Sequence, residues 1–477
     1  MTRRQGLVWL ALLAFALRLA AVVVLYRPLD RPQTYEHGEI ARNLLAGRGF
    51  SVTFLGVDGP TSQQAPWTPL LLAGAQYVCG IDSPQAVWLV QFLQCAAGAG
   101  LVLAVAWLAW SLMPERPSVG WIAALGAAVY PPHIYMATHV QVVPWAALVL
   151  TLLLAAVVSP RAKVDWRWGV VAGLLGGWLL LIEPILALAL PIAAFALGST
   201  IRRNSAHAVK TNDWHGYRRP LFAMTAMTLT TLAIVSPWLI RNYHVHGEFV
   251  FIKSTFGYAF WQGNHPQSRG TDKLPKPEVE LVRTAHDGTL AGRNAALWNA
   301  RHETLYIDDV LLKPQGYSRF QGLSEPARSR LLGNEAWAFI AADPSRYVRL
   351  CFQRMRYFLW RDETNPKAAD PLYRLSSGVW LTLAVTGLVA GRGYWRTWWP
   401  TLAVFLVVMT FHCLTIVSAR FRMPLEPLSF VWCATGVSML GERLWSFGNV
   451  WSCRLKPTAK RRLSASSSPL GSFPQSP

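Results

Sequence analysis

The sequence predicts a polytopic α-helical membrane protein of about ten transmembrane helices, with a mixed α/β segment on the outer (periplasmic) side. Three observations predict it. Apolar residues make up 52% of the 477 and charged residues only 15%, against the ~25% charge usual in soluble domains. Apolar runs approaching the ~20 residues that span a bilayer recur, as at 7–25, 86–110, 221–240 and 401–417. The formal net charge of +20 bunches in short loops between these runs, where Lys and Arg are retained on the cytoplasmic side during insertion. That distribution speaks for a membrane partner and against nucleic acid.

The basic clusters order the elements. They are Arg161, Lys163 and Arg167, then Arg202, Arg203, Lys210, Arg218 and Arg219, then Arg392 and Arg396, and finally a tail with Arg454, Lys456, Lys460, Arg461 and Arg462. In the N-terminal transmembrane part, 1–240, helix one (6–26) follows Arg3 and Arg4. It is too long for a signal peptide's apolar region, contains Arg18 and precedes no small-residue cleavage site, so it reads as retained. It delivers a first outer loop, 27–85, in which 67–80 is an apolar helix too short to span, lying in the interface. Helices two (86–111), three (118–135) and four (141–158) follow. The stretch 168–197 has basic loops at both ends and Glu183-Pro184 inside. Two short helices turning at that proline keep both loops inside. Helix seven (221–240) leads to an outer soluble segment, 241–375. Helices eight (376–391), nine (400–418) and ten (427–443) form the C-terminal transmembrane part, 376–443. The tail, 444–477, is basic and rich in Ser and Pro, and is expected to be disordered in the cytoplasm. Both termini are then cytoplasmic. Within the outer segment, 248–253 (EFVFIK) reads as a strand, and 327–339 and 347–358 as helices. The six cysteines show neither disulfide nor metal spacing.

Three runs carry chemistry. The first is YEHGEIARNLLAGRGF, residues 35–50. Residues 36–46 read as a helix closed by Gly47, with Glu36, Glu39 and Asn43 on one face and Ile40, Leu44 and Leu45 free to pack. Acids in a first turn also suit a helix N-terminus electrostatically, which is the plain structural explanation. Gly59-Pro60-Thr61 marks a turn, and Pro66-Trp67-Thr68-Pro69 opens the interfacial helix. The second run is SPWLIRNY, 236–243, in which Trp238 is a natural interface anchor. The third is SARFRMP, 418–424, which places Arg420 and Arg422 on the outer side against the charge bias. A phosphate at the membrane surface explains that placement. Arg241, Arg420, Arg422 and Lys253 could surround it beneath the acidic helix.

Taken together, YEHGEIARNLLAGRGF, GPT, APWTPLL, SPWLIRNYHVHGEFVFIKSTFGYAFWQGN and ARFRMP resemble the C-type membrane glycosyltransferases, nearest to bacterial proteins of the dolichyl-phosphate-mannose–protein mannosyltransferase-like group (glycosyltransferase family 39). The resemblance runs from the first helix to the tenth. It implies an acidic residue of the first outer loop that activates the acceptor, and a donor sugar on a polyprenyl phosphate held by basic residues. Carried over by position, Glu36 is the base, with Glu39 next. Arg241, Arg420 and Arg422 are candidates for the donor phosphate, and Lys253 and Asn43 are added as candidates for binding the substrate or the donor phosphate. Two departures stand out. Pro32-Gln33-Thr34 offers no Asp ahead of the motif. The loop at 132–139 carries His133 and His139 but no carboxylate, so a divalent metal finds no support and the two histidines read as interfacial.

The expected function is therefore inverting transfer of a sugar to a glycan, lipid or protein acceptor on the outer face of a bacterial inner membrane. No Asn-x-Ser/Thr acceptor sequence occurs in the chain. Two alternatives keep the same architecture: a transporter or flippase of lipid-linked sugars, and a non-catalytic envelope assembly protein.

Overall fold

The computed structural model describes residues 2–25, 34–160, 166–208 and 215–454. Pro32 and Gln33, the basic residues Arg161, Lys163 and Lys210, and the tail from 455 onward lie outside the described residues. The chain opens with α1 (Arg3–Leu25). A first excursion holds α2 (Tyr35–Leu45), an antiparallel hairpin of β1 (Ser51–Phe54) and β2 (Val57–Pro60), and α3 (Trp67–Cys79). The bundle resumes with α4 (Pro84–Leu112), α5 (Pro117–Val129), α6 (Pro131–Met136), α7 (Val143–Val158), α8 (Trp166–Ile182), α9 (Ala189–Ala208) and α10 (His215–His246). A second excursion contains α11 (Phe256–Asn264), β3 (Lys273–Leu274), α12 (Pro277–Thr284), α13 (Leu290–His302), β4 (Leu305–Tyr306), α14 (Ile307–Leu311), α15 (Glu325–Ala342) and α16 (Pro344–Leu359). α17 (Pro371–Ala390), α18 (Trp395–Leu414), α19 (Ala419–Arg422) and α20 (Glu426–Arg454) follow.

A helix occupies each stretch expected to cross the membrane. Among the described residues, six helical segments are long and apolar enough to cross one: α1, α4, the run Pro184–Arg203, α10, α17 and a segment Arg392–Leu414 that includes α18. α5, α7 and α8 are shorter apolar helices. Proline sets several boundaries, because it lacks the N–H that continues a helix yet suits the first turn. It stands there in α4, α5, α7 and α17. The expected helix 118–135 is divided for the same reason: Pro131-Pro132 ends it after Val129 and starts α6.

The turn at Glu183-Pro184 is also seen. Glu183 adopts extended angles between α8 and a short 3-10 turn, Pro184–Leu188. Glycines fix the direction of the flanking helices. A Cβ on Gly169 would fall 2.1 Å from Ala223 O, and one on Gly177 2.5 Å from Ile234, so α8 and α10 run parallel at a separation only glycine permits. On α9, Gly198 faces Met224, while Leu190 lies against Gly176, whose neighbour on α10 is Thr231. α9 therefore runs back antiparallel.

Arg18 is buried in the bundle. It donates to Ala14 O at 3.0 Å, Ala128 O at 3.2 Å and Ala127 O at 3.1 Å. The last two are orphan carbonyls at the C-terminal end of α5, where a cation is favoured.

The two excursions lie together at one end of the bundle and form a cap. Arg116, Tyr394 and Glu442 of α20 meet at the other end, where Arg116 bonds Tyr394 at 3.1 Å and Glu442 at 2.7 Å. Within the cap, 248–253 is not a strand. Its carbonyls are claimed by α10: Asn242 Nδ2 donates to Val250 O and Ile252 O, and Trp238 Nε1 to Ile252 O. Ile252 takes a left-handed φ of 49° to present them. The second excursion is mainly helical, and its only strands among the described residues are the two-residue pair β3 and β4. The expected helices at 327–339 and 347–358 lie within α15 and α16.

Candidate active site at the start of the first cap helix

The position of α2 follows from two apolar contacts on opposite sides. Ile40, fully buried, packs into the cap core with Phe50, Val52, Phe54, Phe260 and Trp261. Ala41 packs on Leu72 of α3 and on Val87 and Val90 of α4. Burying an isoleucine of this kind contributes roughly 1.5–3 kcal/mol. The helix ends as the sequence implies: Gly47 takes φ 75°, and Gly47 N and Arg48 N bond Leu44 O and Asn43 O. At its start Tyr35, not a glycine, sits at φ 53°. A residue held in that region marks strain that a surrounding structure must enforce. Arg301 of α13 supplies the constraint: its guanidinium lies 4.3 Å over the Tyr35 ring and donates to the Tyr35 hydroxyl.

The seven candidate residues fall into two groups. Lys253 and Arg420 both lie near enough to His37, the residue after Glu36, to act on its charge. Glu36 is exposed and, among the described residues, accepts no hydrogen bond. Lys253 and Arg420 make neither a hydrogen bond through the side chain nor an ion pair among those residues. Both cations, after burial itself, hold the neighbouring His37 imidazole down to about 3. Arg420 also acts on the Tyr35 phenol and on Asp272. The positive charge therefore lies along the first turn of α2.

The other four have hydrogen-bond or ion-pair partners elsewhere in the fold. Glu39 accepts Thr53 N at 2.9 Å and Asn43 donates to Ser51 O at 2.8 Å, so both brace α2 against β1. Arg241 clamps the two ends of the β1–β2 hairpin. It donates to Thr61 O at 2.6 Å, Phe50 O at 2.9 Å, and Ser62 Oγ and Asn242 Oδ1 at 3.1 Å. Arg422 is fully buried against Trp380, with Nε 2.7 Å from Glu426 Oε1 and Nη1 2.9 and 2.7 Å from Phe358 O and Leu359 O. Its charge is neutralised by Glu426, which also takes hydrogen bonds from Tyr130 at 3.1 Å and His133 at 3.0 Å. His133 is thus a partner of Glu426.

The cap adds residues to which the sequence reading gave no role. Gln262 Nε2 of α11 donates to Tyr258 OH at 2.9 Å and to Asp308 Oδ1 at 3.1 Å. Burial, then the charges of Asp308, Asp272 and Glu36, push the Tyr258 phenol well above its usual range. Burial also lifts Asp308. Burial alone would lift Asp272, but its bonded neighbour Lys273 and then Arg420 outweigh it and hold the carboxyl low. The result is a polar floor of Tyr258, Gln262, Asp308 and Asp272 beside Glu36, with cations on the other flank. Among the described residues no three His, Cys, Asp or Glu side chains are grouped to hold a metal.

Comparison with solved structures gives this architecture a counterpart. The archaeal oligosaccharyltransferase AglB from Archaeoglobus fulgidus, in complex with an inhibitory peptide and a dolichol-phosphate, superposes with a TM-score of 0.52 at 16% identity. The match covers 96% of this chain and 52% of that one. The chain shares the fold of that transferase. A second structure of the A. fulgidus enzyme, with Zn and sulfate, gives a TM-score of 0.50 at 14% identity over 94% of this chain and 51% of that one. ArnT from Cupriavidus metallidurans bound to undecaprenyl phosphate is a weaker likeness, with a TM-score of 0.39 at 15% identity over 97% of this chain and 82% of that one. The chain spans about half the length of the oligosaccharyltransferase. No protein-family profile and no curated protein matches it. The resemblance to C-type membrane glycosyltransferases holds at the level of the fold.

Proposed function

We propose that the chain is an inverting glycosyltransferase that moves a sugar from a polyprenyl-phosphate donor to an acceptor hydroxyl at the outer face of a bacterial inner membrane. Its cap would be periplasmic and both termini cytoplasmic, since Arg3, Arg116, Arg392 and Arg396 gather at the end away from the cap. The observation that carries the reading is the pairing of one free carboxylate with uncommitted cations. Glu36 makes no hydrogen bond among the described residues, and Lys253 and Arg420 flank the same turn of α2 without a carboxylate partner. Glu39, Arg241 and Arg422 are spent on structure.

The chemistry follows from those parts. The acceptor oxygen attacks the anomeric carbon as its proton passes to the Glu36 carboxylate. The bond from the anomeric carbon to the donor phosphate oxygen breaks on the opposite face, which inverts the configuration. Lys253 and Arg420 offset the charge that develops on the departing phosphate. Tyr258, Gln262 and Asp308 offer donors and acceptors to sugar hydroxyls. A glycan, lipid or protein acceptor fits this scheme equally.

Mass spectrometry of lipid-linked sugars and envelope glycans, with and without the gene, tests the reading. Loss of the chain should make one polyprenyl-linked sugar accumulate and one glycan disappear, and Glu36→Gln expressed at the normal level should not restore them. Unchanged lipid-linked sugars and glycans in the deletion would overturn it. Movement of the lipid across liposomes without transfer would favour a flippase.

A further inference from the structure

A second group of cations sits beside the first. Lys367 Nζ lies 2.8 Å from His139 Nε2. The neighbouring contacts fix the tautomer: Thr138 Oγ1 donates to Tyr135 O at 2.8 Å and lies 2.7 Å from His139 Nδ1. With its hydroxyl hydrogen spent, Thr138 must accept from Nδ1–H, which leaves the Nε2 lone pair facing the lysine. Aromatic rings wall the recess. His139 stacks on Trp298 at 4.8 Å, and Lys367 stands 4.1 Å over Trp298 and 5.2 Å from Tyr135. Arg301 stands 4.3 Å over Tyr35 and 5.8 Å from Trp298.

Among the described residues neither Lys367 nor Arg301 forms an ion pair with a carboxylate. Asp370, which acts on Tyr135, spends Oδ1 on capping α17 through Leu372 N at 2.9 Å and Tyr373 N at 3.3 Å. Two half-buried cations without an anion are costly, and burial with Arg301 pushes the Lys367 amine well down. An arriving anion removes that cost. Lys367 lies just ahead of α17 and His139 just ahead of α7. The recess is therefore where the membrane helices meet the cap, at the depth of a lipid headgroup. Tyr35 separates it from the first group, feeling Arg301 and Arg420 together.

We propose that Lys367 and Arg301, with His139 orienting the lysine amine, form a second phosphate site, so that the donor is a polyprenyl diphosphate sugar. The phosphate next to the sugar meets Arg420 and Lys253, the lipid-side phosphate enters the recess, and the leaving group is the intact polyprenyl diphosphate. This rests on the transferase reading for its donor, but its test does not need transfer.

Purified full-length protein in detergent is titrated with undecaprenyl phosphate and with undecaprenyl diphosphate, and bound lipid is read by native mass spectrometry. A charge-assisted contact to the extra phosphate predicts about tenfold tighter binding of the diphosphate, or more. Lys367→Met should remove that preference and leave monophosphate binding unchanged, while Lys367→Arg keeps it. Arg301→Gln is the second variant, expected to act like Lys367→Met if the latter does not fold. Equal affinity in the wild type, equal loss of both lipids in Lys367→Met, or binding of neither lipid overturns the inference. A diphosphate preference in a protein that transfers no sugar would sink the transferase reading and leave the site standing. Transfer from a monophosphate donor without any preference would sink this inference alone.

Discussion

Replacing Arg422 with leucine would leave Glu426 buried with half of its electrostatic support gone. The carboxylate is inaccessible to solvent, and its remaining partners would be Tyr130 at 3.1 Å and His133 at 3.0 Å. Removing one member of a buried pair costs about 3–5 kcal/mol, because the other charge is stranded. The carbonyls of Phe358 and Leu359 and the hydroxyl of Ser377, now bonded at 2.9, 2.7 and 3.2 Å, would also lose their donor. At roughly 2 °C per kcal/mol for a chain of this size, the thermal midpoint should fall by roughly 6–10 °C. The double variant Arg422→Leu/Glu426→Leu removes both charges and should recover most of that loss. Differential scanning fluorimetry of the detergent-solubilised proteins reads both numbers. If Arg422→Leu keeps its midpoint but loses donor affinity, the structural role is wrong and Arg422 is a phosphate ligand after all.

Arg241→Ala should also act on stability, by about 2–4 kcal/mol, since four acceptors lose a charged donor. Limited proteolysis should then cut first near residues 50–62, and an unaltered digest would contradict the clamp. Glu39→Gln keeps an acceptor for Thr53 N and should transfer sugar within a few-fold of wild type, whereas Glu39→Ala should lose about 1 kcal/mol of stability. His37 gives a pH signature. Its folded imidazole holds off protonation until about 3, against 6.5 when unfolded. Below pH 6.5 the unfolded state therefore binds the extra proton, and stability drains away as pH falls towards 3. His37→Gln should flatten that decline in thermal midpoints measured from pH 7 to pH 4. An identical slope would mean that the imidazole titrates normally.

The helices were legible because long apolar runs and prolines act locally, and α2 was legible through its face, its acids and Gly47. What misled was the company those residues keep. Glu39 and Asn43 share a face with Glu36, but the β1–β2 hairpin whose backbone they satisfy leaves little pattern in four-residue strands. Arg241 and Arg422 looked like phosphate ligands because arginine on the outer side lacked another explanation. The explanation for Arg422 stood four residues on, in Glu426, at the spacing that brings side chains together on a helix. EFVFIK has strand composition but no partner strand, and α10 side chains take its carbonyls instead. Arg301, Asp308 and Lys367 belong to no motif, and Tyr258 lies in one that gave it no role. Only long-range folding of the cap brings them to α2, and one chain carries no local signal for that.

The most direct test of the central claim is turnover of purified Glu36→Gln on a polyprenyl-linked sugar, with donor binding measured in the same preparation. The substitution keeps size and polarity but cannot accept the acceptor's proton. Loss of general-base catalysis predicts a fall in kcat of roughly 10²–10⁴-fold with donor binding and thermal midpoint unchanged. Glu36→Asp should fall between the two. Wild-type turnover in Glu36→Gln would contradict the account and move the search for the base to Asp308 and Asp272 of the cap.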